Sequence, residues 1–188
     1  TFRIFEEEGF QIDIDRLKKV ITPKTKAILI NSPANPTGVV LKPDVMKEIA
    51  ELGIMVISDE IYHGLVYGTE ARTIYEVTER AFAVNGFSKF YSMTGWRLGY
   101  LIAPEEFIRP IQKLQQNLFI SPNPFVQRAG VQALKKAGVD ALEMVKLFDE
   151  RRKIMIEGIK ELGFNIESEP KGAFYLFVDA NKINPNSH

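Results

Sequence analysis

The run Ala81-Phe82-Ala83-Val84-Asn85-Gly86-Phe87-Ser88-Lys89-Phe90-Tyr91-Ser92-Met93-Thr94-Gly95-Trp96-Arg97-Leu98-Gly99-Tyr100 decides the fold. Its first four residues are apolar and read as a short buried strand. The composition then turns to Gly, Ser and Thr, as a chain does on leaving the end of a sheet. One lysine, Lys89, stands just past the strand, and an arginine, Arg97, follows eight positions later. A lysine amine can form a Schiff base with a carbonyl. An arginine fork grips a phosphate through its planar set of donors. Amine and phosphate clamp together suggest a phosphorylated aldehyde cofactor, although a lone lysine reads first as a solvated surface charge.

Two further strands lie upstream. Lys26-Ala27-Ile28-Leu29-Ile30-Asn31 is apolar after its first residue and reads as a buried strand. Ser32-Pro33-Ala34-Asn35-Pro36-Thr37-Gly38 follows as a proline-braced turn, in which Pro36 limits Asn35 to extended conformations. Pro43 to Leu52 is a helix with Val45, Met46, Ile49 and Leu52 on one side, closed by Gly53. Ile54 to Ser58 is the next buried strand, and Asp59-Glu60-Ile61-Tyr62 leaves its end. Helix, glycine, apolar strand and acidic tip make the rhythm of a parallel sheet. Ligands of such sheets lie beyond the carboxyl ends of the strands. By itself Asp59 reads first as a helix cap, and the Asn-Pro turn as an ordinary connection. A metal reading lacks partners, since His63 and His188 are the only histidines.

Ser88-Lys89 with Thr94-Gly95-Trp96-Arg97-Leu98-Gly99, Asn35-Pro36-Thr37-Gly38 and Asp59-Glu60-Ile61-Tyr62 are three motifs in a fixed order. Together they resemble the signatures of the class I/II aminotransferases. These are fold type I pyridoxal-phosphate (PLP) enzymes of the aspartate aminotransferase superfamily. The resemblance runs from about Lys26 to Val178 and includes Pro170-Lys171-Gly172-Ala173-Phe174-Tyr175.

The resemblance implies an α/β fold, a three-layer α/β/α arrangement around a mostly parallel sheet whose last strand, Leu98 to Ala103, is antiparallel. Residues 1–139 would be part of the large PLP-binding domain. Residues 140–188 would be an interdomain helix and the beginning of a small α+β domain. The implied reaction is transamination between an amino acid and a 2-oxo acid. Lys89 would hold the cofactor and, once displaced, carry a proton as general base. Asp59 would keep the cofactor's ring nitrogen protonated. Asn35 and Tyr62 would share its 3′-oxygen, and Ser88 and Arg97 would bind its phosphate. The Asn35–Pro36 peptide is expected cis. A carbon–sulfur lyase or a cyclopropane-forming synthase would keep the same motifs. The alternative of another class is the aminotransferase-like effector domain of a transcription regulator.

Members of this family are roughly twice as long as this chain, well beyond one ordinary domain. Their N-terminal half brings a phosphate loop, a ring-stacking aromatic residue and a tyrosine given to the other subunit. An arginine for the substrate α-carboxylate lies further toward the C-terminus. None of Arg109, Arg128, Arg151 or Arg152 stands in that arginine's context. The chain is thus similar to a central-to-late portion, expected to be inactive alone, and a homodimer is the default expectation for the whole protein.

The other segments are read from pattern alone. Phe10 to Ile14 alternates as a short strand or extended lead-in, and Asp15 is a candidate cap for a helix through Leu17, Val20 and Ile21. Gly68 to Arg80 is a loop with a short helix. Glu105 to Leu118 is a helix with Phe107, Ile111, Leu114 and Leu118 inward. A further helix would bury Val126, Gly130, Val131 and Leu134 and end at Gly138. Asp140 to Leu162 is the longest helix, with Val145, Phe148, Met155, Ile159 and Leu162 along one face. Phe164 to Ile166 and Phe174 to Val178 read as strands, and Asn184-Pro185-Asn186 as a loose tail. His63, beside Tyr62, reads as a packing residue.

Composition narrows the class further. At 188 residues and 45% hydrophobic, the chain buries a real core. Twenty-four basic residues against 24 acidic ones leave no global attraction to nucleic acid or anionic membrane. Cysteine is absent, which excludes disulfides, zinc thiolates and a thiol nucleophile. No apolar run reaches membrane-spanning length. A cytoplasmic globular protein is expected, with small-molecule amino-acid and 2-oxo-acid substrates. The start at Thr1 reads as processing or as part of something longer.

Overall fold

Alternation along three short apolar runs sets the layers of the molecule. In the computed structural model, which describes residues 2–166 and 168–180, β1 (Ala27–Asn31), β2 (Met55–Asp59), β3 (Ala81–Gly86) and β4 (Gly99–Ile102) lie side by side in chain order. β1, β2 and β3 are parallel and β4 is antiparallel to β3. Ile28 pairs with Val56 and Ile30 with Ser58; Ala81 and Ala83 stand opposite the same two β2 residues. All six side chains are buried on one face of the sheet. They pack with Ile14 and Leu17 of α1 (Ile14–Val20) and Met46 and Ile49 of α2 (Pro43–Glu51). The opposite face carries Leu29, 70% exposed, and Val84, 39% exposed. Phe82 on that face meets Phe107 of α3 (Glu105–Leu118) edge-on, with ring centroids 5.1 Å apart. The architecture is a partial α/β/α sandwich on a mostly parallel sheet.

Gly86 pairs with Gly99 where β3 and β4 separate. A Cβ on Gly86 would lie 2.9 Å from the Leu98 carbonyl oxygen, so the two strands can approach only without one. β4 is followed by α3, α4 (Pro124–Lys136) and α5 (Gly138–Glu161). α4 packs through Gly130, whose Cβ position would fall 2.5 Å from Leu98 and 3.3 Å from Phe87. This holds the loop between β3 and β4 against the helix.

Several expectations need correction. The cap of α1 is Asp13, whose carboxylate accepts from the Arg16 amide, and not Asp15; Phe10 to Asp13 forms no strand. The boundary between α4 and α5 falls at Ala137, so Gly138 begins a helix rather than ending one. α3 has the expected span, but Leu114 and Leu118 are exposed, at 61% and 82%. On α4, Ala133 is buried where Val131 and Leu134 were expected. On α5, Ile156 and Ala141 are buried while Met155 and Leu162 face out. In each case the apolar stripe is present but is only partly covered by this chain. Phe164 to Ile166 and Phe174 to Val178 form no strands, because no strand among the described residues offers them a ladder; one bridge, Val66 to Gly172, marks the segment. Asn184 to Asn186 lies outside the described residues.

Among the described residues no helix is long and apolar enough to cross a membrane, and no cluster of candidate metal ligands occurs.

Candidate active site

At the carboxyl ends of β1, β2 and β3 the chain makes three turns, and each delivers one of the motifs. The tip of β1 is fastened to that of β2. The Ser32 amide and the Asn31 Nδ2 both donate to the Asp59 carbonyl, at 3.2 and 3.0 Å. Asn31 Oδ1 in turn accepts from the Asn35 amide at 2.7 Å, which fixes where the Asn-Pro turn begins. The Asn35–Pro36 peptide is cis, as expected, and so is Ser32–Pro33. Beyond β2, the Glu60 amide donates to the Val84 carbonyl at 2.8 Å and ties the acidic tip to β3.

Each tip is also held from below. Glu60, 4% exposed, accepts from Ser58 Oγ, Thr73 Oγ1 and the Ile74 amide. Its other carboxylate oxygen lies 3.4 Å from His63 Nδ1. Burial lowers the His63 pKa against the opposing pull of Glu60. His63 therefore belongs to the support of the turn, in keeping with the packing role read from sequence. Asp59 is half-buried; its Oδ1 accepts from the Ile61 amide at 3.2 Å.

Three of the sequence-predicted residues meet directly or through one intermediary. The Lys89 Nζ lies 5.6 Å from the ring centroid of Tyr62 and 5.5 Å from that of Phe174. An ammonium beside ring faces is attracted by their quadrupoles. No carboxylate among the described residues pairs with it. Tyr62 is 3% exposed, and its hydroxyl is 2.7 Å from that of Tyr175. Asn35 Nδ2 donates to the same Tyr175 hydroxyl at 3.4 Å. Burial, the largest cause, raises the Tyr62 pKa, the nearby Asp59 charge adds to it, and the Asn35 amide opposes it. Tyr62 is thereby kept a neutral phenol.

Ser88 and Arg97 stand in the loop that carries Lys89. The loop is clasped by the Phe87 amide on the Leu98 carbonyl and the Met93 amide on the Phe87 carbonyl, both at 3.1 Å. Thr94 Oγ1 donates to the Ser88 carbonyl and Arg97 Nη1 to the Thr94 carbonyl, so Thr94 links the two residues. Arg97 holds a left-handed backbone, φ 54°, at the end of the Thr94–Trp96 turn. Such a conformation costs a non-glycine residue about 1–2 kcal/mol. Both Ser88 and Arg97 lack contacts with the Lys89–Tyr62–Asn35 group among the described side chains.

Sequence reasoning missed Asn31, Phe174 and Tyr175 as parts of the site. Asn31 reads as the last residue of a strand, and nothing local shows that its side chain bridges two tips. Phe174 and Tyr175 arrive through Gly38. That glycine's carbonyl accepts from the amides of Lys171 and Gly172 at 3.0 and 2.8 Å. Its φ is +68°, and a Cβ there would collide with Pro170 and lie 2.8 Å from the Gly172 oxygen. The Pro-Lys-Gly-Ala-Phe-Tyr segment therefore seats on the Asn-Pro-Thr-Gly turn. The cavity of about 590 Å³ between α5 and residues 173–176 borders the site only through Phe174 and Tyr175 and contains none of the predicted residues.

These features fit a planar anionic aldehyde cofactor. The chain offers an amine beside aromatic rings, amide and phenol donors, and an acidic side chain at the strand ends.

Comparison with known proteins bears on the same residues. The family model described as aminotransferase class I and II matches residues 1–185. Aspartate aminotransferase of Pyrococcus abyssi is 41% identical over 183 residues, covering 92% of this chain and 47% of the relative. The (5-formylfuran-3-yl)methyl phosphate transaminase of Methanocaldococcus jannaschii is 42% identical over 168 residues, covering 87% and 45%. Among solved structures, a double mutant of Thermus thermophilus aspartate aminotransferase superposes with a TM-score of 0.92 at 37% identity. It covers 97% of this chain and is itself covered to 50%. The chain spans about half the length of the curated relatives it matches. Matched over nearly its whole length, in sequence and in fold, it belongs to the class I and II aminotransferases.

Proposed function

We propose that the protein carrying this chain is a PLP-dependent aminotransferase, moving an amino group between an amino acid and a 2-oxo acid. The observation that carries the reading is the position of Lys89. Its amine, with no carboxylate partner among the described residues, faces Tyr62 and Phe174 at the carboxyl end of a parallel sheet. Relatives named as aspartate and aromatic-amino-acid aminotransferases support the same reading.

PLP, when bound, supplies an electron sink for charge developing at a substrate's α-carbon. The protein's own residues supply attachment, orientation and proton transfer. Lys89 would hold the cofactor covalently, and its amine, once displaced by a substrate amine, would move the substrate's α-proton as general base. Asp59 keeps a negative charge for the ring nitrogen, favouring that nitrogen's protonated form. Tyr62, held neutral, keeps a proton to donate to the cofactor's 3′-oxygen, and Asn35 adds an amide donor. Ser88 and Arg97 hold the phosphate; Arg97 does so with a planar fork suited to that group. The rings of Phe174 and Tyr62 screen the amine from water.

The same reading takes residues 1–139 as part of a cofactor domain and residues 140–188 as a connecting helix with the start of a smaller domain. It takes the working form to be a homodimer. The uncovered apolar residues Leu118, Phe119 and Ile120, at 82%, 59% and 80% exposure, agree with a larger assembly.

The test is to titrate the protein with PLP, follow the visible band of the covalently held cofactor, trap it by borohydride and identify the modified residue. Glutamate or aspartate with a 2-oxo acid is then added and amino transfer followed. A trapped label on Lys89 with turnover is the expected result. A label elsewhere, or none, would overturn the reading. A label without turnover in the longest natural form would favour a cofactor-binding regulator instead.

A further inference from the structure

Tyr175 belongs to none of the three motifs, yet its hydroxyl sits between two residues that do. It lies 2.7 Å from Tyr62 Oη and 3.4 Å from Asn35 Nδ2. The proton inventory of these three groups is restrictive. An amide nitrogen only donates, so Tyr175 Oη is the acceptor toward Asn35. A phenol has one proton to give, and the neighbour within reach of Tyr175 is Tyr62. The pair alone allows either hydroxyl to donate; once Tyr62 gives its proton to a ligand oxygen, as the PLP reading has it, the Tyr62 oxygen is left to accept from Tyr175.

We propose that Tyr175 is a positioning residue: it accepts from Asn35, donates to Tyr62 and so turns the Tyr62 proton into the cleft toward the ligand's oxygen. The inference rests on the PLP reading above and names which proton that site presents. Hydrogen bonds in such a chain polarise one another, so donation from Tyr175 strengthens Tyr62 as a donor. The geometry is set from outside the pair. Tyr175 follows Ala173, whose amide donates to the Leu65 carbonyl at 2.9 Å, and Lys171 and Gly172, which bind the Gly38 carbonyl. Its ring is packed edge-on to Tyr62, with centroids 5.8 Å apart, and against Phe174 at 4.8 Å. The titratable groups facing Tyr62 among the described residues are Tyr175, Asp59 and Lys89.

Tyr175→Phe keeps the ring and removes the hydroxyl. A donor aimed at a phenolic oxygen favours the oxygen's negative form, so weakening it raises the pH midpoint of the cofactor's visible band. In the PLP-loaded protein that carries this chain, Tyr175→Phe is expected to raise that midpoint by roughly 0.3–1 unit. PLP retention should weaken roughly two- to tenfold, the size of one lost hydrogen bond. In a Tyr62→Phe background the same change should add nothing to the midpoint, since Tyr175 acts through Tyr62. Incorporating 3-fluorotyrosine at 175, a stronger donor that leaves the packing intact, should move the midpoint down even if the phenylalanine variant folds poorly. An unchanged midpoint in both variants, or an equal shift without the Tyr62 hydroxyl, would overturn the proposal and leave the PLP reading standing. Absence of any visible band in the unmodified protein would overturn that reading and the proposal with it.

Discussion

Lys89 is the residue on which covalent chemistry depends, and its surroundings set what its loss should do. Its amine has aromatic neighbours and no described carboxylate, so replacing it removes a nucleophile rather than a structural ion pair. Lys89→Ala should abolish the visible band and amino transfer while leaving the urea midpoint within experimental error; absorbance and denaturation on one preparation check both. Arg97→Ala should instead weaken PLP retention roughly ten- to a hundredfold, because a charge-assisted contact is worth about 1.5–3 kcal/mol. Equilibrium dialysis measures it, and an unchanged affinity would remove Arg97 from the phosphate role. That Lys89, Asn35 and Tyr62 lie near one another was legible in sequence, because each stands in a short motif just past a recognisable strand. Tyr175 was not, because its partner Asn35 is 140 positions away and no local pattern announces the pairing.

Among the elements, the turn at Gly38 and the segment from Pro170 to Tyr175 behave as one unit. Gly38→Ala combines a disfavoured positive φ with a collision against Pro170. Left-handed strain costs about 1–2 kcal/mol and overpacking typically about 1–3 kcal/mol. The variant should lose about 2–5 kcal/mol in urea denaturation, with PLP affinity falling alongside. Tyr67 clamps the same segment: its hydroxyl donates to the Ala173 carbonyl at 2.5 Å. Burial, the largest cause, pushes its pKa up from 10.0 to about 12. Its stabilisation is therefore full below about pH 10 and is lost as pH rises through about 12. Two units correspond to about 2–3 kcal/mol. Tyr67→Phe should flatten that alkaline loss, read as the difference in urea midpoint between pH 9 and pH 11.5 relative to the unmodified chain. β1, β2 and β3 were legible since each is an unbroken apolar run after a turn signal. The strands expected at Phe164 and Phe174 were not realised, since a strand is completed by a neighbour that sequence periodicity does not supply. The inward faces of α3 and α5 are realised in part, with Phe107, Ile111, Val145, Phe148 and Ile159 half-buried and Leu114, Leu118, Met155 and Leu162 exposed: a stripe shows which side is apolar, not what covers it.

At the scale of the whole molecule, coverage is uneven. One face of the sheet is closed by α1 and α2, while Leu29, Val84 and the whole of β4 remain accessible on the other. With Leu114, Leu118, Ile120, Leu134 and Leu162 also exposed, the 188-residue chain by itself should self-associate and bind a hydrophobic dye. Sedimentation over a concentration series checks this; Leu118→Asp with Ile120→Asp should shift it toward monomer, and a monodisperse unmodified monomer would contradict the expectation. The tethering of Gly38 to Lys171 and Gly172 also has a bearing on when the site comes into being during synthesis. The sheet is built from strands that neighbour each other in sequence, so it can close while the ribosome is still at work on the helices. The wall bearing Phe174 and Tyr175 emerges some 140 residues after Asn35. Closure of the cleft on this side thus lags the sheet: a nascent chain presents Lys89 well before the segment from Pro170 to Tyr175 has left the exit tunnel.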